Sequence, residues 1–493
     1  MPEKRHITKQ TKRPPRLCWI LTGITLALLL ALWGFVLSTR LVPPLYLAVL
    51  LAAAILVADG VFLLTRNENR RGLTAGGCVL TGLSVLGSLV GGFYIWRTIS
   101  TVQNISNATV ERSQVTFYAM QDNPAETLDD LASGTFGILK ELDRANTDAT
   151  LQQVESEHNL SLTTTEYDSL VDLADALQDG MVDAIVLNEA YLALYEETPG
   201  YQDFPAQLKA ISTQQVEHVV EPEAEPPQQV TDPVINILIS GSDTRENTID
   251  QRGRSDVNII ASINTETHQI LLISTPRDYF VPLDVGVDNA YDKLTHAGIY
   301  GMDVLMGTLE NLYGIDIDYY FRINFTGFVD VVDALGGIDV YSDYEFDSRG
   351  SHFTQGWNTL NGEDALNFAR ERYSFTEGDR QRGDNQLEIV KAVLKKAMSP
   401  SILTSYLSIL DSIQSYIDTS IPYDVIASLV RQQLESNASW NIESFSVNGS
   451  DAHSTTYSMN QDLYVMVPDK TTVEQAKIKL AGIGNTLAMS KTS

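Results

Sequence analysis

Three apolar stretches occupy most of the first hundred residues, at 17–37, 45–64 and 73–96. Each is about 20 residues or longer, the length a helix needs to cross a bilayer. Asp59 is the one acid inside them, near the end of the second stretch, where the interface can solvate it. A cleaved signal peptide is excluded as the meaning of the first stretch by the two that follow and by the lack of a small-residue cleavage pattern. Orientation follows from basic residues in short loops. Lys4, Arg5, Lys9, Lys12, Arg13 and Arg16 precede the first span, Arg66, Arg70 and Arg71 separate the second from the third, and Arg40 stands alone between the first two. This pattern predicts a cytoplasmic segment 1–16, three crossings over 17–97, and everything beyond residue 97 outside the cell.

The outer part must fold without covalent help, because the two cysteines, Cys18 and Cys78, both belong to the membrane region. After residue 97 the chain carries 23 Lys and Arg against 60 Asp and Glu. Such acidity keeps a surface soluble and repels nucleic acid, which is excluded as a partner. Residues 221–233 combine prolines and acids with almost no apolar side chains and predict an extended linker. It separates an accessory unit at 98–220 from a larger unit at 234–493.

The accessory unit reads as α/β. A strand is expected at 115–120, helices at 133–146, 148–158 and 167–178, and a buried strand at 181–187. It has no His cluster and no glycine-rich phosphate loop, so a spacer or partner-binding role is expected. The larger unit opens with strands at 234–240, 257–263 and 269–274, the last two close enough to form a hairpin. Helices are expected at 302–313, 326–334, 362–372, 386–398 and 425–435, with further strands at 338–341 and 463–467. Gly336 and Gly337 end the second of these helices. The mixture predicts a three-layer α/β/α domain.

Positive charge in this acidic chain gathers in short runs. Gly241-Ser-Asp-Thr-Arg245 leads to Arg254-Ser-Asp256, followed by Pro276-Arg-Asp278, Arg370-Glu-Arg372, and Arg382 to Gln386. Forked guanidinium groups bind phosphate oxygens bidentately, and Asp243 and Asp256 are oxygen ligands suited to a hard cation such as Mg2+. Asp243 and Asp256 could instead cap turns, Arg277 could pair with Asp278, Lys293 could be a surface lysine, His296 a hydrogen-bonded structural residue, and Arg370 and Arg372 compensation for a helix dipole. Together the runs describe a polyphosphate site with a metal.

In their order and spacing, these motifs, with Leu360-Asn-Gly362 and Ala365-Leu366, resemble the LytR-CpsA-Psr family of cell-wall glycopolymer ligases over residues 233–400, and more loosely to 480. The three spans and the accessory unit resemble its capsule-associated members. The resemblance implies an enzyme, a phosphotransferase moving a capsular or other wall glycopolymer from undecaprenyl diphosphate to a peptidoglycan hydroxyl, with undecaprenyl phosphate released. It implies metal binding by Asp243 and Asp256, and diphosphate binding by Arg254, Arg277, Lys293, Arg370, Arg372, Arg382 and Gln386, with Arg254 and Arg277 closest to the chemistry. Residues 319–325 and Phe328 are candidates to line a polyprenyl pocket, and an ordinary core would explain them as well. Asp384-Asn-Gln386 departs from the Arg-Gln-Gln of many members, reversing a charge while keeping Gln386.

Physical chemistry agrees with that implication. Phosphoryl transfer depends on positioning and charge neutralisation, and a membrane-anchored site suits a lipid-linked donor. Two other readings stay open: a polyprenyl-diphosphate hydrolase using the same site, and a membrane sensor or regulator of envelope polysaccharide synthesis. Export or synthesis machinery for polysaccharide is a further expected partner. The short basic amino terminus has no helix-turn-helix pattern.

Overall fold

The computed structural model describes residues 14–66, 70–106, 110–219, 233–242, 252–376, 378–399, 416–436 and 438–485. Three helices, α1 (Arg16–Ser38), α2 (Pro44–Thr65) and α3 (Arg71–Ser106), are long and apolar enough to cross a membrane. Prolines at 43 and 44 start α2, where their missing N–H groups cost nothing. The helix Tyr423–Ser436 clusters with this unit: Tyr423 donates to the Thr39 carbonyl at 3.0 Å and Asp424 faces Arg40 at 3.7 Å.

The second compact unit comprises residues 104–421 and 439–493 and holds two mixed sheets. The smaller one orders its strands β3-β2-β4-β1-β5: β1 (Val110–Met120), β2 (Thr135–Leu139), β3 (Thr163–Tyr167), β4 (Ala184–Asn188) and β5 (Leu208–Val219). Helices α4 (Arg144–His158), α5 (Leu170–Gln178) and α6 (Leu192–Glu197) accompany it.

Two sequence expectations fail here. The helix expected at 133–146 is strand β2, because Phe136, Ile138 and Leu139 are buried on a strand paired on both sides. Gly137 allows close packing, since a Cβ there would crowd a Leu173 methyl of α5 at 2.8 Å and Ile185 at 3.2 Å. The helix expected from Tyr167 begins at Leu170 under a Ser169 cap, and the β-branched Thr163-Thr-Thr165 before it form the exposed edge strand β3. The expected linker 221–233 lies outside the described residues except Pro233.

The larger sheet begins with β6 (Val234–Ser242), β7 (Val257–Asn264) and β8 (Gln269–Ser274), and the β7–β8 hairpin forms as expected. The chain continues through β9 (Phe280–Pro282), β10 (Tyr291–Lys293), α7 (Leu294–Tyr300), α8 (Met302–Tyr313), β11 (Tyr319–Asn324), α9 (Phe325–Ala334) and β12 (Ile338–Ser342). After β13 (Phe346–Ser348), β14 (Ser351–Phe353) and β15 (Gly356–Leu360) come α10 (Gly362–Arg370), α11 (Asp379–Ala397), β16 (Ile417–Thr419) and β17 (Asn441–Ser446). The six-stranded order is β16-β11-β6-β7-β8-β17. Alternation sorts its two faces: Leu238, Ile260, Leu271 and Ile273 pack against α7 and α8, whereas Ile259, Ala261 and Leu272 pack against Leu387 of α11. This is the expected three-layer arrangement. Gly336 and Gly337, at φ 73° and 85°, end α9. Helix α11 begins seven residues before the expected start, because Asp379 opens a first turn that turn-like residues had concealed.

Candidate functional site

One edge of the six-stranded sheet gathers the arginine runs. Pairing brings Gly241 beside Val257 and Ser242 beside Asn324, while Ser274 faces Ile259. The ends of β6, β8 and β11 and the start of β7 therefore lie together, where α/β sheets present ligands. A cavity of about 260 Å³ opens there. Its apolar wall includes Ile239, Val257, Ile323, Phe325, Phe328 and Leu366, and its polar rim includes Asp256, Arg277, Arg349, Arg370, Arg372, Arg382 and Gln386.

Each rim group is set by its element. Helix α10 ends at Arg370 and Glu371 is extended, so Arg370 and Arg372 diverge. The Arg370 guanidinium stacks on the Phe325 ring at 4.3 Å, and Arg372 donates to the Tyr373 hydroxyl at 2.6 Å. Arg382 and Gln386, four apart on α11, both reach the cavity. Asp379, which the sequence reading passed over, accepts from Arg382 at 3.0 Å and lies 3.6 Å from Arg372. Its spacing of three from Arg382 on one helix was the available signal. The charge reversal at Asp384 is absorbed outside the rim, where Asp384 accepts from the Ser446 hydroxyl at 2.6 Å.

Arg277 is the pivot. It donates to Asp256 at 3.0 Å, and its Nε stands 3.5 Å from Asp278. Burial opposes the Arg277 charge, but Asp256 and Asp278 raise its pKa above the ordinary arginine value. Burial also opposes ionisation of Asp256, and Arg277 and Arg254 outweigh it, so this carboxylate titrates below its usual range. At Asp278 burial wins and the pKa is raised.

Arg254 and Lys293 lie behind this rim and turn to a carboxylate from the other sheet. Glu197, the last residue of α6, accepts from Arg254 at 2.5 Å and from Lys293 at 3.1 Å. Burial opposes its charge, yet His296, Lys293 and Arg254 drive its pKa far down. His296 is fully buried and bonded to Asp292 at 2.7 Å. Burial disfavours its protonation, but Asp292 and Glu197 prevail and its pKa rises to about 9. No pattern around Glu197 in the sequence marked it.

Asp243 and Arg245 lie outside the described residues, so only Asp256 of the two expected metal ligands can be placed. The described residues contain no cluster of three or more metal-ligating side chains. An ionised Asp256 at the rim nevertheless fits Mg2+, which takes one or two carboxylates and fills its remaining positions with phosphate and water.

Residues 198–481 match the LytR_cpsA_psr family model, more than half of the chain. The chain belongs to that family. It is 38% identical over 191 residues to the polyisoprenyl-teichoic acid–peptidoglycan teichoic acid transferase TagU of Bacillus cereus strain ATCC 14579, a match spanning 38% of this chain and 61% of the relative. The protein of the same name from Bacillus mycoides strain KBAB4 is 34% identical over 236 residues, covering 48% of this chain and 74% of the relative. The crystal structure of B. subtilis TagV aligns with 52% of this chain and 98% of its own, at 28% identity and a TM-score of 0.43. The family match begins at Thr198, one residue after Glu197.

Proposed function

We propose that this family member is a phosphotransferase that moves a glycan phosphate from a polyprenyl-diphosphate carrier to a hydroxyl of peptidoglycan. The observation that carries this reading is a single cavity with five arginines on its rim and an apolar wall beneath them. An amphiphile with a diphosphate joined to a hydrocarbon chain matches both halves. The names of the Bacillus relatives support the same class of donor and acceptor.

In the proposed reaction the acceptor hydroxyl oxygen attacks the sugar-side phosphorus. The bond from that phosphorus to the bridging oxygen breaks, a phosphodiester to peptidoglycan forms, and undecaprenyl phosphate leaves. Arg277, Arg372 and Arg382 neutralise charge on the phosphoryl oxygens, and Arg370, stacked on Phe325, marks the boundary between headgroup and chain. Asp278, buried behind the rim between Arg277 and Lys293, holds the Arg277 guanidinium in place, and the acceptor's proton passes to solvent. Asp256, with Asp243, would hold Mg2+, which when bound supplies further charge neutralisation on the diphosphate. Arg254 and Lys293 support this cluster from behind. The basic loops flanking the apolar helices favour a multi-pass anchor with this site on the outer face, and capsular or another wall glycan as cargo.

The test uses the full chain in lipid nanodiscs with Mg2+, a polyprenyl-diphosphate glycan and peptidoglycan fragments, with products identified by mass spectrometry. A glycan–phosphate–peptidoglycan adduct is expected. Release of glycan phosphate at the same rate without acceptor would make the protein a hydrolase, and binding without turnover would make it a sensor.

A further inference from the structure

The ion pairs of the cavity rim continue out of the six-stranded domain. Asp256 holds Arg277, Arg277 meets Asp278, Asp278 stands 3.6 Å from Lys293, and Lys293 meets Glu197, which Arg254 also grips. Charges alternate along this run, so each of its four inner groups is held from two sides. Its far end belongs to the five-stranded domain. Helix α6 is held firmly, because Leu194 and Tyr195 are buried in one apolar cluster with Ile299, Met459 and Leu463 of the larger domain. Glu197 is therefore a standing part of the site.

Resting on the phosphoryl-transfer reading above, we propose that Glu197 is a positioning residue supplied by the accessory domain. By taking a share of Lys293, and by holding Arg254, it leaves Asp278 available to Arg277, and thereby keeps Arg277 anchored between Asp256 and Asp278 and directed at the diphosphate. Lys293 is only 6% exposed, and a buried charge does not stay uncompensated. Without Glu197, Lys293 draws on Asp278 alone and pulls it from the Arg277 Nε. Arg277 then loses one of its two anchors, and a transfer step that depends on pre-set cations slows. Ground-state binding responds in the opposite sense, because deleting a negative charge beside a cation cluster does not weaken an anion's hold.

This separates kcat from KM. Full-length wild type, Glu197→Gln, Glu197→Asp and Val154→Ala would be assayed in nanodiscs for transfer, and for heat-unfolding protection by inorganic pyrophosphate. Glu197→Gln is expected to lose on the order of tenfold to a hundredfold in kcat, with KM and pyrophosphate protection equal to wild type or stronger. Glu197→Asp restores part of the kcat. Val154→Ala, which loosens the other face of the same sheet and leaves α6 and its charges in place, lowers Tm and leaves the kcat of the folded protein near wild type. An unchanged kcat in Glu197→Gln overturns the proposal. So does a raised kcat, which would make Glu197 a competitor of the diphosphate, and so does an equal fall in Val154→Ala. Wild type that binds pyrophosphate but transfers nothing would instead overturn the transfer reading, and this proposal with it.

Discussion

Two mixed sheets in one compact unit end in opposite ways. In the five-stranded domain, polar groups at the ends of β2 and β4 meet one another: Asp143, after β2, accepts from Asn146 at 2.5 Å and from Asn188, the last residue of β4, at 2.8 Å. Two amides meet a carboxylate at that end. In the six-stranded domain five arginines line the cavity, and Asp256 is the one acid among its described lining residues. Asp278 and Asp379 stand behind them, so among the described residues this end of the sheet carries an excess of positive charge. Architecture is shared between the two sheets, and charge balance distinguishes them.

The sharpest way to break this comparison is to remove the pivot. Arg277→Ala should lower transfer by a hundredfold or more, roughly 3–4 kcal/mol of transition-state stabilisation, read as kcat with the lipid-linked donor. Arg277→Lys should recover little of it, since an ammonium cannot face Asp256 and Asp278 with a planar fork. Retained activity in Arg277→Lys would mean that the excess of charge, and not its arrangement, does the chemistry, and retained activity in Arg277→Ala would remove Arg277 from it.

Asp256→Asn ranks next. It removes the partner of Arg277 and the one placeable metal ligand together, and is expected to cost roughly tenfold to a hundredfold in turnover. Chelation should inactivate the wild type, with activity returning on addition of Mg2+. Mg2+ with pyrophosphate should raise the wild-type Tm and leave that of Asp256→Asn unmoved. Full activity after chelation would remove the metal from the reading.

Most of this edge was legible in the sequence, because motif residues fall at strand and helix ends. Arg277 follows β8, Asp256 precedes β7, and Arg382 and Gln386 share a helix face. What was illegible depends on contacts between distant elements. Nothing near residue 137 reveals that its strand is buried on both faces, so local propensity favoured a helix there. Arg254 and Lys293 read as rim groups because their runs resemble phosphate motifs, and a carboxylate 57 positions before Arg254 in sequence claims both. The described residues leave Asp243 unplaced, and its role stays an expectation of the motif.

The apolar half of the cavity gives a smaller, more selective effect. Phe325 both lines the wall and carries the Arg370 guanidinium. Phe325→Ala should raise KM for a long-chain donor by about tenfold, or about 1–2 kcal/mol, while kcat changes little. A short-chain diphosphate should be affected less, since it leaves much of the wall uncovered. Equal losses for both donors would place the hydrocarbon elsewhere.

The last effect, on stability rather than on catalysis, concerns the seam between the two sheets. His296 is buried and its folded pKa is about 9, against an ordinary value of 6.5, because Asp292 and Glu197 overcome the penalty of burial. A pKa raised on folding adds stability that is complete below pH 6.5 and is lost as pH climbs through 9. Asp292 and Glu197, both depressed, remain ionised throughout that window. Tm should therefore decline between pH 6.5 and 9 by a few degrees, about 1–3 kcal/mol for one such group. His296→Gln should be less stable than wild type at pH 6 and should flatten this decline. If the slope survives in His296→Gln, another group carries it, and the seam is held by the Tyr195, Ile299 and Met459 contacts rather than by charge.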